Sequence, residues 1–143
     1  MNSDNKTPRL LGAAFLFVAF ASALSGLMLG SLGVAVTDPV DNISETMIMI
    51  SENPTMLHMS IVVMFIEAIA IVLLADLLYT NLENQNRIVA RWGFGLWIVE
   101  AAALAIRGIS TFSLSTVSQE FVMAGAPDSS YFQTLGSLFY EMT

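Results

Sequence analysis

Three ionisable side chains lie in the middle of long apolar stretches of this 143-residue chain, and they are Glu67, Glu100 and Arg107. A charged side chain at the centre of a bilayer costs about 2.5–3.5 kcal/mol on insertion scales, so such residues face the protein interior and pair with one another. Glu100 and Arg107 are two helical turns apart, which places them on nearly the same face of a helix. These residue types at this spacing predict a buried charge cluster in which Arg107 lies between the two carboxylates.

Two interpretations of this cluster have different consequences. Carboxylates inside a membrane protein can relay protons or ions, or can line a polar substrate cavity. Alternatively, one arginine between two carboxylates satisfies all three groups, and the cluster then holds the second apolar stretch against the third. The sequence leaves both interpretations open.

Small residues form a second candidate site in the first apolar stretch. Ser22, Gly26 and Gly30 recur every four residues, so they lie on one face of a helix. Small side chains let two membrane helices approach closely, which is how such helices associate without a hydrophobic driving force between them. The spacing therefore predicts a helix-packing face, whose partner is a span of this chain or of another chain.

A third candidate consists of the soft ligands Met47, Met49, Met56, His58 and Met59. Thioether and imidazole groups suit Cu(I), but methionine is equally a flexible apolar filler. The spacing matches no closed set of ligands, and the chain has no Gly-rich phosphate loop, His-Glu-x-x-His motif or Gly-x-Ser-x-Gly motif. We therefore predict no metal, no cofactor and no catalytic residue.

The composition identifies the solvent of the fold. Hydrophobic residues make up 55% of the chain and charged residues only 12%, whereas ordinary globular chains carry about 25% charged residues. Too few polar side chains remain to cover a water-exposed surface, which indicates a membrane protein. The net charge of −7 argues against a nucleic-acid partner, and the absence of cysteine excludes disulfides and thiolate catalysis.

Three apolar stretches are long enough to cross a bilayer, because a spanning helix needs about 20 predominantly apolar residues. They cover residues 10–36, 54–79 and 88–117. Asn53 before Pro54 is typical of the N-cap of a helix, here that of the second span. The first stretch contains Ala21-Ser22-Ala23, as in a cleaved signal peptide, but its apolar sequence continues well past Ala23. We therefore expect an uncleaved anchor and an all-α, polytopic fold, with residues 1–143 in a single transmembrane domain.

Two short segments have the pattern of amphipathic helices. In the first loop, Asn42 followed by Glu45 fits a capping box, and three apolar residues then recur at helical spacing: Ile43, Met47 and Ile50. We expect this outer-loop helix to lie on the membrane surface. The C-terminal segment 128–142, opened by Pro127-Asp128, is too short to cross, so we expect an interfacial helix. Four residues are predicted to line its apolar side: Tyr131, Leu135, Leu138 and Met142.

Basic residues indicate the orientation, since the cytoplasmic loops of membrane proteins are enriched in lysine and arginine. Lys6 and Arg9 precede the first span, and Arg87 and Arg91 stand at the start of the third. The first loop and the segment after Val117 contain acidic residues and neither lysine nor arginine. The N-terminus is therefore predicted in the cytoplasm and the C-terminus outside.

Several segments of the chain are similar to those of a known family. They are Arg9–Gly12, Trp97–Ala102, Ser118–Phe121, Ala124–Asp128 and Tyr131–Gly136. Together they resemble the bacterial membrane family called domain of unknown function 4386, with the Ala-Gly-Ala-Pro-Asp segment as the most specific part. The resemblance implies a multi-pass protein of the bacterial cytoplasmic membrane and no established activity. Members of the family are typically longer, with further spans after the position of Tyr131, so this chain resembles their N-terminal portion.

Without a recognisable reaction, these features favour a small accessory or assembly subunit of a larger membrane complex. Its expected partners are the lipid bilayer and other membrane protein chains, in a homo- or hetero-oligomer. A second hypothesis is an oligomeric transporter, or a proton- or ion-conducting protein, that uses Glu67, Glu100 and Arg107. A third is a membrane-embedded enzyme with Glu67 or Glu100 as the general base.

Overall fold

A computed structural model describes residues 6–34, 42–125 and 131–143 of the chain. In these ranges the backbone forms five helices and no strand. The helices are α1 (Lys6–Gly30), α2 (Ile43–Glu52), α3 (Pro54–Leu82), α4 (Arg87–Met123) and α5 (Tyr131–Glu141). The predicted all-helical fold class, with its two short helices, is confirmed.

The three long helices α1, α3 and α4 are long and apolar enough to cross a membrane, as predicted. In α3, 39% of the residues in the most apolar stretch are buried, against 11% in α1 and in α4. Most of the apolar surface of α1 and α4 therefore faces outward. Lipid tails are as apolar as leucine, so this exposure carries no cost in a bilayer.

The first long helix ends earlier than the span predicted over residues 10–36. The amide of Val34 donates to the carbonyl of Leu29 (3.0 Å), and the amide of Gly33 donates to that of Gly30 (3.1 Å). With Gly33 at φ 74°, these bonds form the Schellman motif that closes a helix. Hydropathy does not predict this end of α1, because the residues around the turn are also mostly apolar. The predicted end at residue 36 lies outside the described residues.

Asn53 and Asn86 both cap a helix end, and of these two only Asn53 was predicted as a cap. Asn53 precedes α3 as expected, but its side-chain amide donates to the carbonyl of Met49 (3.0 Å), so it caps the end of α2. Asn86 caps the start of α4, because its Oδ1 accepts from the amides of Ile88 (3.1 Å) and Val89 (3.2 Å).

The fourth helix is much longer than the predicted span over residues 88–117. Its 37 residues extend over about 55 Å, whereas the hydrocarbon core of a bilayer is about 30 Å thick. The helix continues to Met123, so the residues just before Met123 are free to pack with the short helices.

The chain divides into two compact units, each of which contains parts of all three long helices. The first unit consists of Met1–Ala23 and Met64–Ala105, and the second of Leu24–Val63 and Ile106–Thr143. The second unit also contains α2 and α5, which pack against each other.

The core of the second unit forms where α2, α4 and α5 meet. Met47, Val117 and Phe121 are its buried members. Partly buried apolar residues pack around them: Ile43, Ile48, Phe132, Leu135 and Phe139. The predicted apolar residues Met47 and Ile50 of α2 are fully buried, so the apolar face of this helix is confirmed. We call this group the α2–α5 cluster.

The predicted apolar side of α5 is only partly covered by protein, through Leu135, which packs against the α2–α5 cluster. Tyr131, Leu138 and Met142 are exposed, whereas Gly136 is buried. A Cβ atom at Gly136 would lie 2.5 Å from the sulfur of Met47, so α5 approaches α2 closely because this position has no side chain. The apolar pattern of α5 extends over both of its faces, and the glycine decides which one packs. The first residues of the predicted segment, including Pro127-Asp128, lie outside the described residues.

Candidate functional site

The first of the predicted buried charges, Glu67, lies in the interior of the first unit. It is near the middle of α3, and only 5% of its surface is exposed. It follows the helical row of buried residues that also contains Met64, Ile71 and Leu74. This carboxylate therefore lies near the middle of a helix long enough to cross a membrane, on the face of α3 that forms the interior of the unit.

The other two predicted charges, Glu100 and Arg107, lie on one face of α4 but differ in their exposure. Arg107 is partly exposed, with its Nε and Nη2 atoms buried. Glu100 is exposed, although it was predicted to face the interior. The same row of α4 is fully buried further along, at Thr111 and Ser118. That the three residues form one paired cluster stays a prediction, and Glu100 lies on the surface of this chain.

A row of hydroxyl groups on α4 was not predicted. Ser110, Thr111 and Ser118 are buried, and each hydroxyl donates to a backbone carbonyl one turn earlier in the helix, at 3.1, 2.9 and 2.7 Å. Such bonds satisfy the donors within the helix, while the small side chains permit close packing. The spacing of serine and threonine at i, i+1 and i+8 was the available signal.

The predicted helix-packing face of α1 is exposed. Ser22, Gly26 and Gly30 are all exposed, and a Cβ atom at Gly26 or Gly30 would have no neighbouring atom of the described chain within 4 Å. The buried row of α1 is a different one, and it includes Ala21, Ser25 and Leu29. Within the part of the chain that the structure describes, the small-residue face is left uncovered.

The predicted methionine and histidine group has mixed surroundings. Met47 is fully buried in the α2–α5 cluster. The sulfur of Met56 accepts a hydrogen bond from Ser31 Oγ (3.5 Å), and the ring of His58 lies 6.3 Å from that of Phe112. Of these, Met47 has the role of an apolar filler, one of the two interpretations that the sequence left open.

A polar cleft in the first unit was also not predicted. Asp76 and Tyr79 of α3 and Arg91 and Phe94 of α4 line a volume of about 310 Å³. The rings of Tyr79 and Phe94 are in edge contact, with centroids 5.8 Å apart. The available signal was the i, i+3 spacing of a charge and an aromatic ring on each of the two helices.

Comparison with known proteins adds one family. The sequence model of the family described as Domain of unknown function (DUF4386) matches residues 10–143. No curated protein and no solved structure matches the chain.

Proposed function

Because the chain belongs to the DUF4386 family, whose description assigns no activity, we propose a function from its surfaces: it is an accessory or assembly subunit of a larger membrane complex. In this proposal α1 binds a membrane helix of another protein chain through Ser22, Gly26 and Gly30. The protein performs no catalysis of its own.

The exposed small-residue face of α1 carries this proposal. Membrane helices associate through van der Waals contact at small residues, so a face of this kind lowers the free energy of association only when another helix lies against it. In this chain the face lies on an exposed side of α1, away from the buried row. A helix of another chain is thus the partner that the surface fits.

Glu100 supports the same proposal from α4. It lies about 14 Å along the helix from Arg91, which is mid-membrane depth, and it is exposed. A carboxylate facing lipid at that depth costs about 2.5–3.5 kcal/mol on insertion scales. A partner helix that donates a hydrogen bond or presents a positive charge there removes this cost.

The proposed location is the bacterial cytoplasmic membrane, with the N-terminus inside and the C-terminus outside. Support comes from Arg9, Arg87 and Arg91, which all stand at ends of spans predicted to face the cytoplasm. Because the chain contains no cysteine, single cysteines report the orientation directly. A membrane-impermeant maleimide should label T143C in intact cells and N84C only after permeabilisation, and the reverse pattern contradicts the orientation.

The association is tested by purification in mild detergent from the native membrane. Wild type should bring a stoichiometric amount of an unrelated membrane chain, and Gly26→Leu should reduce its recovery at least fivefold because the added side chain separates the helices. Ala13→Leu is the matched control, since Ala13 is exposed on a different face of α1. If both variants retain the partner equally, the proposed interface is wrong.

The rival proposal is an oligomeric transporter or a proton- or ion-conducting protein. Glu67 favours it, because a carboxylate in the interior of α3 is a group that can relay protons. Purification as a symmetric homo-oligomer, with proton flux into vesicles that Glu67→Gln abolishes, supports transport. If proton flux is unchanged in Glu67→Gln, the hypothesis that Glu67 relays protons is wrong.

A further inference from the structure

Two cavities, one polar and one apolar, lie between α3 and α4 in the first unit, and together we call them the α3–α4 groove. The polar end is the cleft of about 310 Å³ between Asp76, Tyr79, Arg91 and Phe94. The apolar end is a groove of about 360 Å³ that is lined only by alanine, valine, isoleucine and phenylalanine side chains. Both belong to the same two helices within one compact unit.

The two cavities lie in line along the helices, because their lining residues follow one face of each helix. On α3 the lining residues step by three or four positions from Phe65 through Ala68 and Val72 to Asp76 and Tyr79. On α4 the lining residues follow the same rule, and they are Arg91, Phe94, Ile98, Ala101, Ala102 and Ala105. One elongated ligand can therefore lie along the whole groove.

Opposite charges stand at the polar end. Asp76 and Arg91 are both exposed side chains that line the cleft, and Tyr79 adds a hydroxyl group. Trp92, next to Arg91, is 71% exposed, and exposed tryptophan is typical of the headgroup level of a membrane. The cleft thus presents a cation, an anion and a hydroxyl at the depth where lipid headgroups lie.

We propose that this groove binds one phospholipid of the surrounding membrane whose headgroup is an aminoalkyl phosphate. The guanidinium of Arg91 and the hydroxyl of Tyr79 bind the phosphate, and the carboxylate of Asp76 accepts hydrogen bonds from the primary ammonium. An acyl chain lies along the apolar part, between the phenylalanine end of α3 and the alanines of α4.

The length of the α3–α4 groove fits a phospholipid. From Tyr79 to Phe65 the helical rise is about 21 Å, whereas one leaflet is half of a hydrocarbon core of about 30 Å. The length therefore accommodates a headgroup and one acyl chain. The small side chains of Ala101, Ala102 and Ala105 leave the space that the acyl chain of the lipid fills.

The preference for one headgroup is tested with the full chain reconstituted in vesicles and then extracted in mild detergent. Native mass spectrometry measures how much lipid stays bound to the protein. The three vesicle preparations contain phosphatidylethanolamine, phosphatidylcholine or phosphatidylglycerol. We expect about fivefold more retained phosphatidylethanolamine than either of the others, because one charge contact at a membrane surface has about that effect. Phosphatidylcholine keeps the positive charge but has no N–H donor, so it tests the hydrogen bonds to Asp76 separately from the charge. Phosphatidylglycerol has no cation.

Substitutions in the polar cleft test whether its residues cause the selectivity for the lipid headgroup. Asp76→Asn should make phosphatidylethanolamine and phosphatidylcholine equal, and Arg91→Gln should reduce retention of all three lipids. Glu83→Gln and Arg87→Gln are the matched controls, since they make the same charge changes at the same ends of α3 and α4, outside the cleft lining. Equal retention of the three lipids by wild type, or controls that act like the cleft variants, overturns the proposal.

The acyl-chain part is tested by filling the groove. Ala102→Phe should abolish lipid retention, whereas Ala103→Phe should leave it unchanged, because Ala103 is exposed on α4 outside the groove. If Ala102→Phe instead releases a co-purified protein chain and leaves lipid retention unchanged, the groove binds a helix and the proposal fails. Should Ala102→Phe lose helicity, the Asp76→Asn comparison decides alone, since that side chain is exposed.

Discussion

The two units stabilise their helices in different ways. In the second unit, Phe121 and Met47 are almost completely buried in the α2–α5 cluster. Side-chain hydrogen bonds also join distant parts of this unit: Gln133 Nε2 donates to Ser44 Oγ (2.7 Å), and Tyr140 donates its hydroxyl to the carbonyl of Gly33 (3.3 Å). The second unit thus has the core and the polar cross-links of a small globular domain.

In the first unit, large apolar side chains point outward, and aromatic rings meet in two pairs. Leu96 and Val99 are both 67% exposed. The ring of Phe15 on α1 meets that of Trp97 on α4 edge-on, with centroids 5.9 Å apart. The surfaces that remain open include the α3–α4 groove, the carboxylate of Glu100 and part of the small-residue face of α1.

This difference between the units follows from the surroundings of their helices, which are protein for the short helices and lipid for the long ones. Helices α2 and α5 have 10 and 11 residues, about 15–17 Å, which is too short to cross a bilayer. Their apolar faces gain free energy by burial against protein, whereas the long helices gain little by it because lipid is already apolar. Substitutions in the α2–α5 cluster should therefore change stability, and substitutions on the exposed surface of the first unit should change binding instead.

The largest expected effect is that of Phe121→Ala. Removing a fully buried aromatic side chain leaves a cavity and lowers the free energy of unfolding by about 3–5 kcal/mol. Denaturant titration in detergent micelles measures it, with Met123→Ala as the control, because Met123 is on the same helix and exposed. Equal losses in the two variants would show that the α2–α5 cluster is not a stabilising core.

A smaller effect is expected from Gly136→Leu. The new side chain would overlap with Met47, whose sulfur lies 2.5 Å from the Cβ position, and overpacking costs about 1–3 kcal/mol. Thr134→Leu is the control, since Thr134 is exposed on the same helix. The same titration measures both. A variant Gly136→Leu as stable as wild type means that α5 does not approach α2 this closely.

The smallest effect should be that of Leu96→Ala in the first unit. A side chain 67% exposed toward lipid makes few protein contacts, so its loss should change the free energy of unfolding by less than about 0.5 kcal/mol. Leu74→Ala is the control, because Leu74 is fully buried in α3. If Leu96→Ala is the more damaging of the two, the outward face of α4 is an internal one, and the contrast between the units is wrong.

Local sequence and composition were enough to predict the helices. Long apolar stretches can only be helical in a bilayer, because every backbone amide must be satisfied within the segment. The start of α2 was equally predictable: Asn42 Oδ1 accepts from the amide of Ser44 (3.2 Å), and its side-chain amide donates to Glu45 (3.0 Å). Caps and spans depend on neighbours within a few residues, and the sequence displays these neighbours directly.

Only the tertiary structure decided which faces are covered. In a lipid-facing helix every face is apolar, so hydrophobic periodicity does not distinguish the interior from the outside. The exposure of Glu100 and of Gly26, and the choice of Gly136 over Leu138 as the packed side of α5, depend on which helix lies nearby. The polar cleft between Asp76 and Arg91 likewise exists only because two distant segments meet, and that meeting is determined by packing and not by local pattern.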